Sequence, residues 1–136
     1  MNVEKQNMDM LRQIYDAYKQ GNVDLLMSVL ADDFVMDSQA DTMPWGGQWK
    51  GPAGMQDFLK CVGEELDHQE YVCEDMIGRD ETVVSWGWLR TCCRKSEKTS
   101  RKTWMHRTVF EKGRIKEIHE YYDSLGFAVD TCRAPR

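Results

Sequence analysis

Apolar residues at Met8, Leu11, Ile14, Tyr15 and Tyr18 recur at three- and four-residue intervals between Glu4 and Lys19. That spacing puts them on one face of a helix. Gly21 ends it, and Asn22 or Asp24 caps a shorter helix running through Leu25, Leu26, Val29 and Leu30. Asp32-Asp33 breaks the pattern, and Phe34-Val-Met36-Asp-Ser38 predicts a first strand. Residues 39 to 50 hold Asp41, Pro44 and Gly46-Gly47, and are expected to form a mobile loop that exposes Trp45 and Trp49. Gly51-Pro52 opens a third helix, with Met55, Phe58, Leu59 and Val62 along one side.

Past Gly63 the period changes. Tyr71–Ile77, Thr82–Cys93, Arg101–Phe110 and Arg114–Ser124 are rich in β-branched and aromatic residues, with turn-like stretches between them at 78–81, 95–100 and Lys112-Gly113. Three helices followed by long antiparallel strands predict an α+β layer: a strongly curved, mainly antiparallel sheet with the helices on its concave face. Such a sheet encloses a cone, which becomes a ligand pocket unless side chains fill it, and methionine fills gaps readily. The chain is expected to be a single domain over 1–136, with 125–136 as a short C-terminal extension or frayed tail.

Composition removes several classes of function. A net charge of -5 and a pI near 5.2 argue against a nucleic-acid partner. No apolar stretch is long enough to span a bilayer, and the polar N-terminus lacks the core of a signal peptide, so a soluble, cytoplasmic protein is expected. The five cysteines are odd in number and lack Cys-x-x-Cys spacing, which predicts reduced thiols rather than a disulfide framework or zinc site. His68, His106 and His119 fall on different elements or opposite strand faces, so no metal is expected. Neither Ser38 nor Cys61 has a base and orienting acid for nucleophilic catalysis.

The candidate chemistry lies in the last hairpin. With a three-residue turn at 111–113, even-numbered residues of both strands share a face: Trp104, His106, Thr108, Ile118, Glu120 and Tyr122. His106 and Glu120 are then cross-strand or diagonal neighbours, roughly 4.5 to 8 Å apart. With a two-residue turn at Lys112-Gly113 the parity reverses and His106 meets His119. A carboxylate facing a cone walled by Trp86, Trp88, Trp104 and Tyr122 loses hydration, which raises its pKa toward neutrality. A neighbouring imidazole can hydrogen-bond a substrate carbonyl and stabilise an enolate. The competing reading is a structural ion pair between the two. Trp86 and Trp88 either wall the cavity or fill the core, and Trp45 and Trp49 either lid its mouth or dock the loop onto the helices. Tyr121 and Asp123, of opposite parity, are expected on the outer sheet surface.

Three segments carry a family resemblance: Tyr18-Lys-Gln-Gly21-Asn-Val-Asp24-Leu-Leu with Leu30-Ala-Asp-Asp33, Pro44-Trp-Gly-Gly-Gln-Trp-Lys-Gly51-Pro, and His106 to Asp123. Across nearly its whole length the chain resembles the nuclear-transport-factor-2-like (NTF2-like) superfamily, and within it SnoaL-like polyketide cyclases and ketosteroid-isomerase-related proteins. The catalytic positions of ketosteroid isomerases correspond here to Ile14, Ser38 and His106; all three differ, so that mechanism is not supported. Polyketide cyclases of the SnoaL type are more similar, and the resemblance implies His106 and Glu120 as the catalytic pair, with glutamate in place of the usual aspartate. It implies a cofactor-independent isomerase, aldol cyclase or dehydratase acting on a small apolar carbonyl compound. Ile14, Tyr18, Met36, Ser38, Trp45, Trp49, Phe58, Trp86, Trp88, Trp104 and Tyr122 would shape the pocket, and the protein would pair sheet on sheet as a homodimer. The alternative is a non-catalytic ligand-binding or assembly protein of the same fold.

Overall fold

Helix α1 (Val3–Lys19) begins where the Asn2 side chain accepts a hydrogen bond from the Lys5 amide at 3.1 Å, and Gly21, at a φ of 76°, turns the chain out of it. The short α2 (Asp24–Ser28) follows, and α3 (Gly51–Glu65) carries its proline in the first turn. The computed structural model describes residues 2–133, in which these helices pack against one mixed sheet of six strands. Its strands are β1 (Leu30–Ser38), β2 (Gly47–Lys50), β3 (Leu66–Arg79), β4 (Thr82–Cys93), β5 (Thr99–Glu111) and β6 (Arg114–Tyr122). The spatial order is β2-β1-β6-β5-β4-β3, and only β1 and β6 run parallel.

Bulges curve this sheet. The β3–β4 register shifts between His68 and Glu70 and again between Cys73 and Asp75, and an extra residue in one strand of a pair bends that strand and increases its twist. Gly87 sits opposite the second bulge, where a Cβ would come within 1.8 Å of the Val72 carbonyl oxygen; no other residue fits there.

The last hairpin reaches the expected parity by a different route. Glu111 pairs with Arg114, so the turn is the two-residue Lys112-Gly113 with φ of 51° and 80° at its two positions. That register alone would set His106 against His119. A bulge at Lys116 intervenes: Phe110 pairs with Ile115, but Val109 pairs with Glu117, and from there His106 faces Glu120. The bulge lets Ile115 and Ile118, three residues apart, both point inward, where they are 0% and 7% exposed. A regular strand would push one of them to the outer face, forgoing about 1.5–3 kcal/mol of burial.

Four expectations change. The second helix stops at Ser28, and Leu30 already belongs to β1. Residues 39–50 are not a free loop, because they hold β2 and because Trp45 is only 2% exposed, packed against Tyr122 and Phe127. The C-terminal extension includes a fourth helix, α4 (Ser124–Asp130), capped by Asp123, whose carboxylate accepts from the Gly126 amide at 2.9 Å instead of facing the outer sheet. Phe127 of α4 inserts into the core, and Asp130 forms a buried ion pair with Lys102 at 2.6 Å, while Lys102 also donates to Thr91 at 2.8 Å. The end of the expected tail, 134–136, lies outside the described residues. No helix among the described residues is long and apolar enough to cross a membrane.

Candidate active site

Strand pairing aligns four inward polar residues in one row across the sheet: Ser38 on β1, Glu120 on β6, His106 on β5 and Ser85 on β4. Tyr15 descends on this row from α1. Its hydroxyl lies 2.9 Å from His106 Nδ1 and 2.7 Å from Ser85 Oγ. Aromatic rings close the space around it, with Trp104 4.6 Å from the His106 ring and 5.3 Å from Tyr15, and Tyr71 stacked on Trp104 at 5.0 Å.

Above the row is a cavity of about 100 Å³. His106, Glu120, Ile14, Tyr18, Met36, Trp45, Phe58, Trp104 and Tyr122 line it, as do Tyr15, His68, Tyr71, Leu89, Thr108, Ile118 and Phe127. A second depression of about 240 Å³ between α1, α3 and β3 adjoins it and shares Tyr18, Leu59, Val62, His68 and Tyr71 with it. The cone is therefore hollow. Trp45 walls the inner cavity instead of lidding it, and Trp49, bonded through its indole N–H to the Trp45 carbonyl at 3.0 Å, packs behind against Phe58. Ser38 is buried beside Glu120 but does not line the cavity.

Trp86 and Trp88 stand elsewhere. On β4 the odd-numbered residues Val83, Ser85, Gly87 and Leu89 point inward and the even ones outward, so both tryptophans lie on the convex face, Trp88 under the Arg101 guanidinium at 4.3 Å. The expectation that they wall the cone is overturned by strand parity. Tyr121 does lie on that convex face, 37% exposed beside the 45% exposed Met105.

Burial sets the charge state of the row. Desolvation pushes Glu120 up to about 8 and His106 down to about 4, because apolar surroundings disfavour each charged form. At neutral pH both are mainly neutral, which is not the condition of an ion pair, and no hydrogen bond joins them. Among the described residues the Glu120 carboxyl has no hydrogen-bond partner at all. Burial also raises the phenols, Tyr18 and Tyr122 to about 12 and Tyr15 further, so these hydroxyls keep their protons. His119, by contrast, is outside, 3.3 Å from Asp37 and 2.7 Å from Glu117. Among the described residues no group of three His, Cys, Asp or Glu side chains is placed to hold a metal ion.

Sequence reasoning missed Tyr15 and Ser85 as site residues. Tyr15 was legible only as part of the apolar helix face, since helix rotation relative to the sheet decides which member reaches the row. Ser85 carried one signal: a hydroxyl sharing parity with Val83 and Leu89 on a buried strand needs a partner.

The family model for the SnoaL-like domain matches residues 11–118. No curated protein matches the chain. Among solved structures, an NTF2-like protein of unknown function from Burkholderia pseudomallei superposes with a TM-score of 0.85 at 21% identity, covering 93% of this chain and 97% of its own. A candidate SnoaL-like polyketide cyclase from Jannaschia sp. CCS1 gives 0.82 at 14% identity, covering 99% and 97%. TerC, co-crystallised with polyporic acid, gives 0.81 at 16% identity over 93% and 98%. At these identities the structural likeness establishes the shared fold.

Proposed function

The chain belongs to the SnoaL-like domain family, and we propose that it is a general acid–base enzyme, independent of any cofactor, that acts on a small apolar carbonyl compound. Glu120 is the proton-transfer group and His106 the donor that steadies the oxygen. In the ionised form Glu120 takes a proton from the carbon beside a carbonyl; the C–H electron pair moves into the enolate, and the His106 N–H hydrogen-bonds the oxygen as charge develops. Protonated Glu120 then returns the proton at another carbon, or gives it to the alkoxide formed when the enolate carbon attacks a second carbonyl. Isomerisation and aldol cyclisation share this first step, and dehydration follows if Glu120 takes a second proton from the carbon beside the carbonyl and passes it to the departing hydroxyl, which leaves with the C–O electron pair as water.

One observation carries this reading: a carboxyl without a hydrogen-bond partner, lifted by burial to about 8, in an apolar cavity beside a neutral imidazole. A purely structural glutamate would be paired. At pH 7 roughly one Glu120 in ten is ionised, enough for a base and matched to the return of the proton. The inner cavity is smaller than the 300–1,000 Å³ usual for drug-sized ligands, which supports a compact substrate or one that extends into the adjoining depression. The polyporic acid found with TerC supports the choice of small molecules as the occupant class.

The test needs no knowledge of the final product. A panel of polyketide-like and steroid-like ketones is incubated in D2O, and deuterium entering the carbon beside the carbonyl is followed by NMR. Exchange lost in Glu120→Gln and reduced in His106→Ala, with ligand binding retained, supports the enzyme. Binding without exchange in the parent protein replaces it with a ligand-binding module. We propose in addition that the convex face, with Trp86, Trp88, Met105 and Tyr121, pairs two copies sheet on sheet; Met105→Arg should then convert a dimer to a monomer in light scattering.

A further inference from the structure

Behind the cavity three hydrogen-bonding groups run in series, Ser85 Oγ to Tyr15 Oη at 2.7 Å and Tyr15 Oη to His106 Nδ1 at 2.9 Å. Each hydroxyl has a single proton to donate, so the direction of the series is a matter of accounting. Ser85 is fully buried, and among the described residues Tyr15 is the one partner of its hydroxyl. If Tyr15 donated to Ser85, the Ser85 proton would have no acceptor, and an orphaned buried hydroxyl loses more than a hydrogen bond gains. Ser85 therefore donates to Tyr15, and Tyr15 donates to Nδ1, which must present a lone pair.

We propose that Tyr15 is a positioning residue that, with its oxygen occupied by Ser85, fixes His106 in the tautomer carrying its proton on Nε2 and keeps it a neutral hydrogen-bond donor. The tautomer rests on the three groups alone; its meaning for catalysis rests on the function proposed above. Protonating Nδ1 would reverse both bonds and strand the Ser85 proton. The relay thus opposes the imidazolium independently of the desolvation that already holds His106 near 4. It also selects which ring nitrogen donates: Nδ1 is committed to α1, so only Nε2 is left to meet a substrate oxygen.

Long-range proton–nitrogen correlation spectra of protein labelled with 15N-histidine report which ring nitrogen bears the proton, and His106→Gln assigns the signals by their disappearance. The wild type is expected to show His106 with the proton on Nε2 throughout pH 6 to 9. Tyr15→Phe should move the tautomer ratio by about two- to tenfold toward the mixture of an unconstrained imidazole, the worth of one neutral hydrogen bond. On any ketone that exchanges, it should lower kcat by a similar factor with KM little changed. A wild-type spectrum with the proton on Nδ1, or an unchanged ratio in Tyr15→Phe, overturns the proposal. Should that variant fail to fold, the wild-type spectrum decides alone, since a mixture of tautomers also overturns it. If no ketone exchanges, the proposed activity fails while the spectrum still judges the relay.

Discussion

Replacing Glu120 by Gln removes one ionisable group from the cavity at nearly constant volume, and its effect on stability is expected to change with pH. Glu120 titrates at about 8 in the folded chain and near 4.5 when unfolded. Between those values the folded chain holds a proton that the unfolded chain has released, so stability falls as pH rises through the window. At about 1.4 kcal/mol per pH unit the gap amounts to about 5 kcal/mol above pH 8, and the partial exposure of Glu120 reduces it toward about 2. His106 acts with the opposite sign. It titrates at about 4 folded against 6.5 unfolded, so it contributes a rise in stability of up to about 3 kcal/mol between those pH values.

In the wild type the two slopes nearly cancel from pH 4.5 to 6.5, and a decline follows from 6.5 to 8. In Glu120→Gln only the His106 rise remains: stability should climb to about pH 6.5 and then stay level. Urea unfolding of both proteins at half-unit steps from pH 4 to 9 measures the difference directly. The change in unfolding free energy on going from Glu to Gln should grow toward pH 8 by about 2–5 kcal/mol relative to its value at pH 4.5. A difference that stays constant with pH would refute the claim that burial, and not packing alone, governs this carboxyl.

Three further outcomes follow from the same geometry. For any substrate that turns over, kcat/KM should rise with a limb near pH 8, tracking ionisation of Glu120; a limb at 4 to 5 instead would remove Glu120 as the base. Lys102→Met removes the ammonium that pairs with the buried Asp130 carboxylate, at a cost of up to about 3–5 kcal/mol. Hydrogen exchange should then show α4 amides losing protection before those of β4 and β5, and uniform loss would contradict the anchoring role. Gly87→Ala forces a methyl group toward the Val72 carbonyl and should lower stability by more than about 2 kcal/mol, whereas an unchanged urea midpoint would deny the close approach.

How much of this was legible in the chain depended on whether local signals agreed. Strand β4 was readable to the residue, because its alternation is uninterrupted and turn-like residues flank it. Its facing was not. Trp86 and Trp88 compete with Val83 and Leu89 for the interior, and size favoured the tryptophans; a solid core would have taken them. A hollow core reverses that preference. The row that underlies a cavity must be small: Ser85 leaves space for the Tyr15 hydroxyl, whereas Gly87 is small because the Val72 carbonyl occupies the place of its Cβ. Helix α4 escaped notice because seven residues give too short a period, and its main anchor, the Lys102–Asp130 pair, joins groups 28 residues apart, although the Asp123 cap is local.

The hairpin argues the point most sharply. Expecting a three-residue turn brought Glu120 opposite His106 for a reason the structure replaces, since the turn has two residues and the bulge at Lys116 supplies the missing one. The signal for that bulge was present in the spacing of Ile115 and Ile118, which no regular strand can bury together. Two isoleucines thus decide which face the carboxyl takes. If only one of them were apolar, the regular register would compete, His106 would meet His119, and Glu120 would turn to solvent on the convex face. On this reasoning the position of the chemical row depends on the burial of Ile115 and Ile118, and not on the chemistry proposed for Glu120 and His106.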